Sequence, residues 1–157
     1  MEKTTDVTLY DIEGYTQQYT KIGELGRGKF GTVFHVKNNE DGRSFASKHI
    51  RARTRDQREK VKYEINILKE ISNPQIVRFH AAFESWNELV IITELLSGGE
   101  LFDRIVAEEF EITELDCTLY LRQICRGVEY LHKEGFIFEA ESIVGTEGPF
   151  LVTNRGF

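Results

Sequence analysis

The stretch Leu25-Gly26-Arg27-Gly28-Lys29-Phe30-Gly31-Thr32-Val33 decides how the fold of this chain is interpreted. Its three glycines leave backbone without obstructing side chains, so that amide groups can approach an anion closely. Residues 19–25 lead into the stretch and residues 32–37 follow it with the β-branched and aromatic side chains typical of strands. We therefore predict a glycine-rich turn between two strands and a candidate cover for nucleotide phosphates.

Three interpretations of this glycine pattern compete. In a dinucleotide-binding fold the third glycine would open a helix, whereas residues 32–36 have the pattern of a strand. A flap between antiparallel strands that covers phosphates fits better. The remaining alternative is a hairpin turn whose glycines serve backbone geometry only. The choice depends on charged residues elsewhere in the chain.

Two charged residues on apolar faces favour the flap. In the strand predicted over residues 43–50, period-2 alternation puts Lys48 on the face of Ala46 and Ile50. In the helix predicted from Thr54 or Asp56 to about residue 71, Glu64 falls within an apolar stripe at helical spacing.

Unpaired charges on such faces would be costly. We therefore predict a Lys48–Glu64 ion pair that holds an ammonium ready for phosphate oxygens. The alternative partner of Glu64 is Lys60, four residues earlier on the helix surface.

The other predicted elements flank this core. Residues 1–18 are polar and are predicted to be a flexible tail, partly ordered if Tyr10 or Tyr15 packs back. Residues 76–84 and 89–94 are predicted strands, and the second is apolar enough to be buried on both faces. Helices are predicted near residues 100–107 and from about 114 to 133.

The helix predicted over residues 114–133 carries both cysteines of the chain. Cys117 and Cys125 would lie roughly 12 Å apart along it, beyond disulfide reach, so we expect two buried thiols. The apolar stripe predicted on this helix consists of Cys117, Leu121, Ile124, Val128 and Leu131.

Composition and charge exclude several classes of protein. The net charge of −6 argues against a general nucleic-acid binder. The first residues do not resemble a signal peptide, and the longest apolar run, residues 89–92, is too short to cross a bilayer. We predict a cytoplasmic protein with neither a nucleic-acid nor a membrane partner. The basic run over residues 51–62 is interpreted as a solvated loop and helix face.

With these motifs in this order, the chain resembles the N-terminal part of a eukaryotic protein kinase. The resemblance covers roughly residues 15–137. Residues 97–105 (Ser-Gly-Gly-Glu-Leu-Phe-Asp-Arg-Ile) are similar to the calmodulin-kinase group, and within it to myosin light chain, titin and twitchin kinases. Phe45-Ala46-Ser47-Lys48 stands where the family has Val-Ala-Ile-Lys, so Phe45 and Ser47 depart from the pattern.

The resemblance implies an α+β fold, ATP binding and a cytoskeletal or sarcomeric setting. A five-stranded antiparallel sheet with one helix is expected over residues 19–96, the first helices of a second lobe over 97–137, and an irregular tail over 138–157. Thr93 would be the gatekeeper, Glu94 to Leu96 the hinge that meets adenine, and Glu100 a ribose contact. The implied ATP-binding residues are Leu25, Gly26, Gly28, Gly31, Val33, Ala46, Lys48, Glu64, Thr93, Glu94, Leu96 and Glu100.

The resemblance ends after Ile137. Ala140 stands where the family has its catalytic aspartate, and no aspartate follows Asp116. We therefore expect a truncated kinase domain with no catalytic residue, Mg²⁺ present only as the ATP complex, and little activity alone. The stripe on the last helix would lack part of its burial partner and is a candidate surface for a protein partner. Two hypotheses remain, an enzyme fragment that phosphorylates protein hydroxyls when complete, and a non-catalytic nucleotide-binding or interaction module.

Overall fold

The computed structural model describes residues 9–28, 31–98, 106 and 111–136. The chain divides into two compact units, of which the first comprises Met1–Ser72 and Arg78–Leu95. The second comprises Asn73–Val77 and Leu96–Phe157. Most of the helix predicted near residues 100–107, and the whole tail predicted over 138–157, lie outside the described residues.

The first unit is a sheet with two helices, and the second contains one long helix in its described part. The elements are β1 (Tyr10–Asp11), α1 (Ile12–Gln18), β2 (Tyr19–Gly28), β3 (Gly31–Asn38), β4 (Ser44–Arg51), α2 (Arg55–Glu70), β5 (Phe79–Glu84), β6 (Glu88–Glu94) and α3 (Glu114–Lys133). The six strands are ordered β1-β5-β6-β4-β3-β2. The predicted α+β class is confirmed. Strands β2 to β6 form the predicted antiparallel sheet, and β1 adds a sixth strand that pairs parallel with β5.

Residues 10–18 are ordered, as the sequence predicts for part of the tail if Tyr10 or Tyr15 packs back. The Asp11 side chain accepts a hydrogen bond from the Glu13 amide and caps α1. Tyr15 is only 3% exposed and packs edge-on against Phe83 of β5. A helix of seven residues that includes Gly14 has too little periodicity to be recognised in the sequence. One buried aromatic side chain fixes it to the sheet.

The strand register gives the sheet two different faces. Lys48 lies opposite Val33 of β3 and Ile91 of β6, so these three side chains share one face. On the other face, Ser47 and His49 are buried. That face carries an aromatic and aliphatic core made of Tyr15, Tyr19, Val36, Phe45, Phe83, Val90 and Ile92.

Helix α2 begins and ends close to the predicted positions. Thr54 and Gln57 form a reciprocal capping box at its start, and Ile71 is its C-cap. Its buried residues are Val61, Ile65 and Leu68, so the buried stripe passes beside Glu64 instead of through it.

Helix α3 has the predicted bounds, and its buried residues are Tyr120, Gly127 and Leu131. The buried face is therefore rotated from the predicted stripe, since Tyr120 is buried where Leu121 was expected to be. Both Cys117 and Cys125 are free and exposed. The expectation of two buried thiols was wrong, because neither cysteine lies on the face that carries Tyr120, Gly127 and Leu131.

Candidate functional site

Lys48 and Glu64 form the ion pair at the centre of the candidate site. The Lys48 Nζ on β4 lies 3.5 Å from the Glu64 Oε1 on α2, and the two side chains are 23% and 20% exposed. Burial raises the pKa of the Glu64 carboxyl, and the ammonium of Lys48 opposes this shift. Lys60, the alternative partner, is exposed and forms no ion pair in the described part of the chain. The predicted pairing is therefore confirmed.

The face around Lys48 carries partly exposed small and apolar side chains. Val33 lies opposite Lys48, and Ala46 lies opposite Thr93 of β6. All three of these neighbours are partly exposed. The sheet therefore brings together four residues that the sequence placed in one site, with a cation beside surface that can receive a flat apolar ring.

Two further residues of this face were not singled out from the sequence. Ile91 is buried directly beside Lys48. His35 lies opposite Ala46, and its Nε2 is 2.9 Å from the Ser44 hydroxyl. Only the register between neighbouring strands identifies them, because alternation within one strand does not say which residues of the next strand lie beside it.

The glycine stretch is a turn between antiparallel strands. The pairing of β2 and β3 runs from Tyr19 opposite Asn38 to Gly28 opposite Gly31. Because a strand follows the third glycine, the dinucleotide-binding interpretation is excluded. Lys29 and Phe30, which separate the two strands in the sequence, lie outside the described residues.

The glycines of this turn have different surroundings. Gly31 has a φ of +154°, and a Cβ built on it would lie 1.9 Å from the His49 carbonyl oxygen. This glycine is therefore required for the close approach of β3 to β4. A Cβ on Gly26 would meet nothing within 4 Å, which leaves open space above β2. Backbone geometry explains Gly31, but it does not explain Gly26.

The remaining predicted residues are placed less completely. Leu25 is 53% exposed on β2. The Glu94 carboxylate accepts a hydrogen bond from the Arg78 amide at 2.8 Å, and the Glu94 amide donates to the Arg78 carbonyl at 3.0 Å. Both bonds fix the end of β6, where the hinge was predicted to begin. Leu96 belongs to the second unit, and Glu100 and Ala140 lie outside the described residues.

Neither a metal-binding cluster nor a membrane-spanning helix is found among the residues that the structure describes. Within residues 9–28, 31–98, 106 and 111–136, no group of three or more His, Cys, Asp or Glu side chains could hold a metal ion. In the same ranges, no helix combines the length and the apolar character that a bilayer crossing requires.

A lobe with a glycine turn, a strand lysine and a helix glutamate is the arrangement of a kinase nucleotide lobe. The model of the family described as protein kinase domain matches residues 19–139, and the chain belongs to this family. It is similar to "Myosin light chain kinase, smooth muscle" of Gallus gallus, with 39% identity over 140 residues. It is also similar to "Myosin light chain kinase 3" of Rattus norvegicus, with 45% identity over 109 residues.

These matches cover most of this chain and a small part of each relative. The chicken match spans 86% of this chain and 7% of that protein, and the rat match 69% and 14%. The twitchin kinase fragment of C. elegans has a TM-score of 0.75 and 32% identity, over 89% of this chain and 31% of that one. The autoinhibited serine kinase domain of the giant muscle protein titin has a TM-score of 0.73 and 29% identity, over 87% and 44%. The resemblance to muscle kinases is confirmed.

Proposed function

We propose that this chain is the ATP-binding portion of a protein serine/threonine kinase. The observation that carries this proposal is the Lys48–Glu64 pair, held at 3.5 Å on a face shared with Val33, Ala46 and Thr93. A partly buried ammonium suits the oxygens of a polyphosphate, and the apolar surface beside it suits a purine ring. The protein kinase family in general uses ATP and Mg²⁺.

Each residue of the site has a proposed role. Glu64 holds the Lys48 ammonium in place for phosphate oxygens. Gly26 and Gly28 leave backbone free to cover the phosphates, while Val33 and Ala46 pack on the adenine ring. The other proposed ATP contacts are Leu25, Gly31, Thr93, Glu94, Leu96 and Glu100. Magnesium would arrive with ATP, where it neutralises phosphate charge.

We propose that the 157 residues bind the nucleotide without transferring its phosphoryl group. Transfer depends on metal ions, lysine and a catalytic aspartate acting together. Ala140 stands at the position where the resemblance puts that aspartate, and no aspartate follows Asp116 to hold a metal. In a chain that also carried those residues, the same site would serve phosphorylation of protein hydroxyls, in the cytoskeletal or sarcomeric setting that the muscle relatives suggest.

Titration of the purified chain with a fluorescent ATP analogue and Mg²⁺ tests nucleotide binding. Because a hydrogen bond to a charged group contributes about 1.5–3 kcal/mol, Lys48→Ala should weaken binding roughly ten- to hundredfold. Lys60→Ala removes an exposed lysine and should leave the affinity unchanged. Equal affinities in Lys48→Ala and the wild type would contradict the proposed site.

A phosphorylation assay with a basic peptide tests the second part of the proposal. We expect no transfer by the purified chain, and transfer that is lost in Lys48→Ala would overturn the claim of inactivity. Absence of both binding and transfer would favour a fragment without either function. The interaction-module alternative rests on helix α3, on which Leu115 is 67% exposed and Leu121 is 61% exposed.

A further inference from the structure

We propose that Tyr15 of α1 is a positioning residue for Lys48, acting through the two side chains that flank this lysine on the opposite face of β4. The proposal rests on the proposed function, because it concerns the lysine that would meet the phosphates. Residue 15 precedes the span matched by the family model, which begins at residue 19.

The Tyr15 hydroxyl contacts both sequence neighbours of Lys48. It lies 3.1 Å from the Ser47 Oγ and 3.1 Å from the His49 Nε2, and the latter two atoms are also 3.1 Å apart. The His49 Nδ1 is 3.1 Å from the Glu88 Oε1 on β6. One hydroxyl from α1 therefore meets β4 immediately before and immediately after Lys48.

These groups form a directed set of hydrogen bonds. With His49 neutral and its Nδ1 protonated, Nδ1–H donates to Glu88 and the bare Nε2 accepts from the Tyr15 hydroxyl. The Tyr15 oxygen then accepts from the Ser47 hydroxyl. No buried side-chain nitrogen or oxygen in the described part of the chain lacks a partner. In this arrangement the burial of these polar groups is compensated, and loss of the Tyr15 hydroxyl would leave Ser47 and His49 to bond to each other.

The trio also accounts for a departure from the family pattern. Ser47 stands where the resemblance has an isoleucine, yet it is completely buried. The side-chain partners of its hydroxyl are Tyr15 and His49. The buried Ser47 hydroxyl thus has a polar partner on α1. An isoleucine at this position would make an apolar contact instead.

The effect on Lys48 follows from the geometry of the strand. Pairing with β3 and β6 fixes the position of β4 within the sheet, whereas side-chain contacts resist its rotation about its own axis. The Lys48 side chain remains 23% exposed, and its Nζ lies 3.5 Å from the Glu64 Oε1. This exceeds the 2.7–2.9 Å of a tight charged hydrogen bond. We therefore expect a small rotation of β4 to change the Lys48–Glu64 separation.

A matched pair of substitutions tests the proposal. Tyr15→Phe removes the hydroxyl and keeps the ring that packs against Phe83. Tyr19→Phe removes a hydroxyl from the same core, since Tyr19 is 8% exposed and stacks on Tyr15 at 5.8 Å. The Asn38 side chain at the end of β3 neighbours the Tyr19 hydroxyl, and the Tyr19 ring packs on Phe45 of β4 at 6.0 Å without meeting Ser47 or His49. Ser47→Ala is a second variant, which breaks the trio from the strand side.

The first readout needs no nucleotide. In NMR spectra with ¹³Cε-labelled lysine, the Lys48 signal is identified by its absence in Lys48→Arg, and Glu64→Gln gives its position without the pair. We expect Tyr15→Phe and Ser47→Ala to move the signal toward the Glu64→Gln position, and Tyr19→Phe to leave it in place. An unmoved signal in Tyr15→Phe, or equal movement in Tyr15→Phe and Tyr19→Phe, would overturn the proposal.

The second readout is the affinity for the fluorescent ATP analogue. We expect Tyr15→Phe to weaken binding about threefold or more and Tyr19→Phe to bind as the wild type does. Wild-type protein that binds no nucleotide would refute the proposed function, and the NMR comparison would still decide the role of Tyr15. Nucleotide binding that is equal in all three proteins, with an unmoved Lys48 signal, would refute the role of Tyr15 alone.

Discussion

Glu64 is a carboxylate whose surroundings oppose its charge. Burial raises its pKa, and Lys48 compensates only in part. Because the pKa is higher in the folded state, the stabilising contribution of this group is present below about pH 4.5 and is lost as the pH rises through the folded-state pKa. Burial therefore makes the ionised form of Glu64 costly in free energy, which is typical of a carboxylate in a functional site.

His49 should make the free energy of unfolding depend on pH. Its pKa is lowered from 6.5 by burial and by the charge of Lys21, while Glu88 opposes the shift; Tyr15 and Ser47 are its other polar neighbours. The unfolded chain takes up this proton at a higher pH than the folded chain. The contribution of His49 to stability should therefore be constant above about pH 6.5 and fall below it, by at most about 1.4 kcal/mol per pH unit.

Urea unfolding between pH 7.5 and 5.5 measures this dependence. The pKa of His80 is also lowered by burial, so the informative quantity is the difference between the wild type and His49→Gln. We expect a flatter profile in His49→Gln and a wild-type profile in His132→Gln, which alters an exposed histidine. Identical profiles in the wild type and His49→Gln would show that the histidine does not titrate differently on unfolding.

Gly31 and Gly26 should respond differently to the same substitution. Gly31→Ala places a Cβ 1.9 Å from the His49 carbonyl oxygen at a φ of +154°, and we expect a loss of about 3 kcal/mol or more. Gly26→Ala meets nothing within 4 Å and should change stability little. Thermal unfolding of the two variants measures the contrast, and equal midpoints would contradict it.

Helix α2 is attached to the turn between β5 and β6. The Arg58 Nη1 donates to the Ser85 carbonyl at 2.8 Å and to the Trp86 carbonyl at 3.1 Å, and its Nη2 pairs with the Glu84 carboxylate. The Lys62 Nζ lies 3.2 Å from the same carboxylate. Burial alone would raise the pKa of Glu84, but hydrogen bonds from Arg58 and Lys62 outweigh it and lower the pKa. These contacts fix the helix that carries Glu64.

Arg58→Ala should therefore destabilise the first unit by about 2–4 kcal/mol, because it leaves two carbonyls and part of a half-buried carboxylate without a donor. Lys60→Ala, two residues along the same helix, removes an exposed side chain and should change stability by less than about 0.5 kcal/mol. Urea midpoints measure both. A similar loss in the two variants would mean that the charge of the helix matters more than its attachment.

Elements with a clear period or cap could be predicted from the sequence. The alternation in β4 placed Lys48, and the two candidate caps, Thr54 and Asp56, bracketed the start of α2, of which Thr54 is the actual N-cap. Helix α1 could not be predicted, because its seven residues are held by contacts between Tyr15 and distant strands. The buried face of α3 was misplaced because Tyr120 and Gly127 give a weaker apolar signal than Leu121 and Val128. Local pattern gives elements, and tertiary contacts decide which side is buried.

At the scale of the whole molecule, motifs spread along the sequence predict the family of the chain. They do not predict that its thiols are accessible. Both Cys117 and Cys125 are exposed on α3, where the sequence predicted buried thiols. We expect both to react with a chromogenic thiol reagent in native buffer at rates within about tenfold of those in denaturant. Cys117→Ser should halve the number of reactive thiols. Reaction only after unfolding would support the buried arrangement.

Helix α1 is ordered although it precedes the residues that the family model matches, and this has a practical consequence for protein production. The family match begins at residue 19, one residue after α1 ends. A recombinant fragment that started there would keep Lys48 and Glu64 but lose Tyr15, which is 3% exposed in the core. Phe83, which packs against Tyr15, would then be presented to solvent, and exposed apolar surface promotes aggregation. Poor solubility of that fragment would show that its first residue was badly chosen. It would not show that the sheet with α1 attached is unstable.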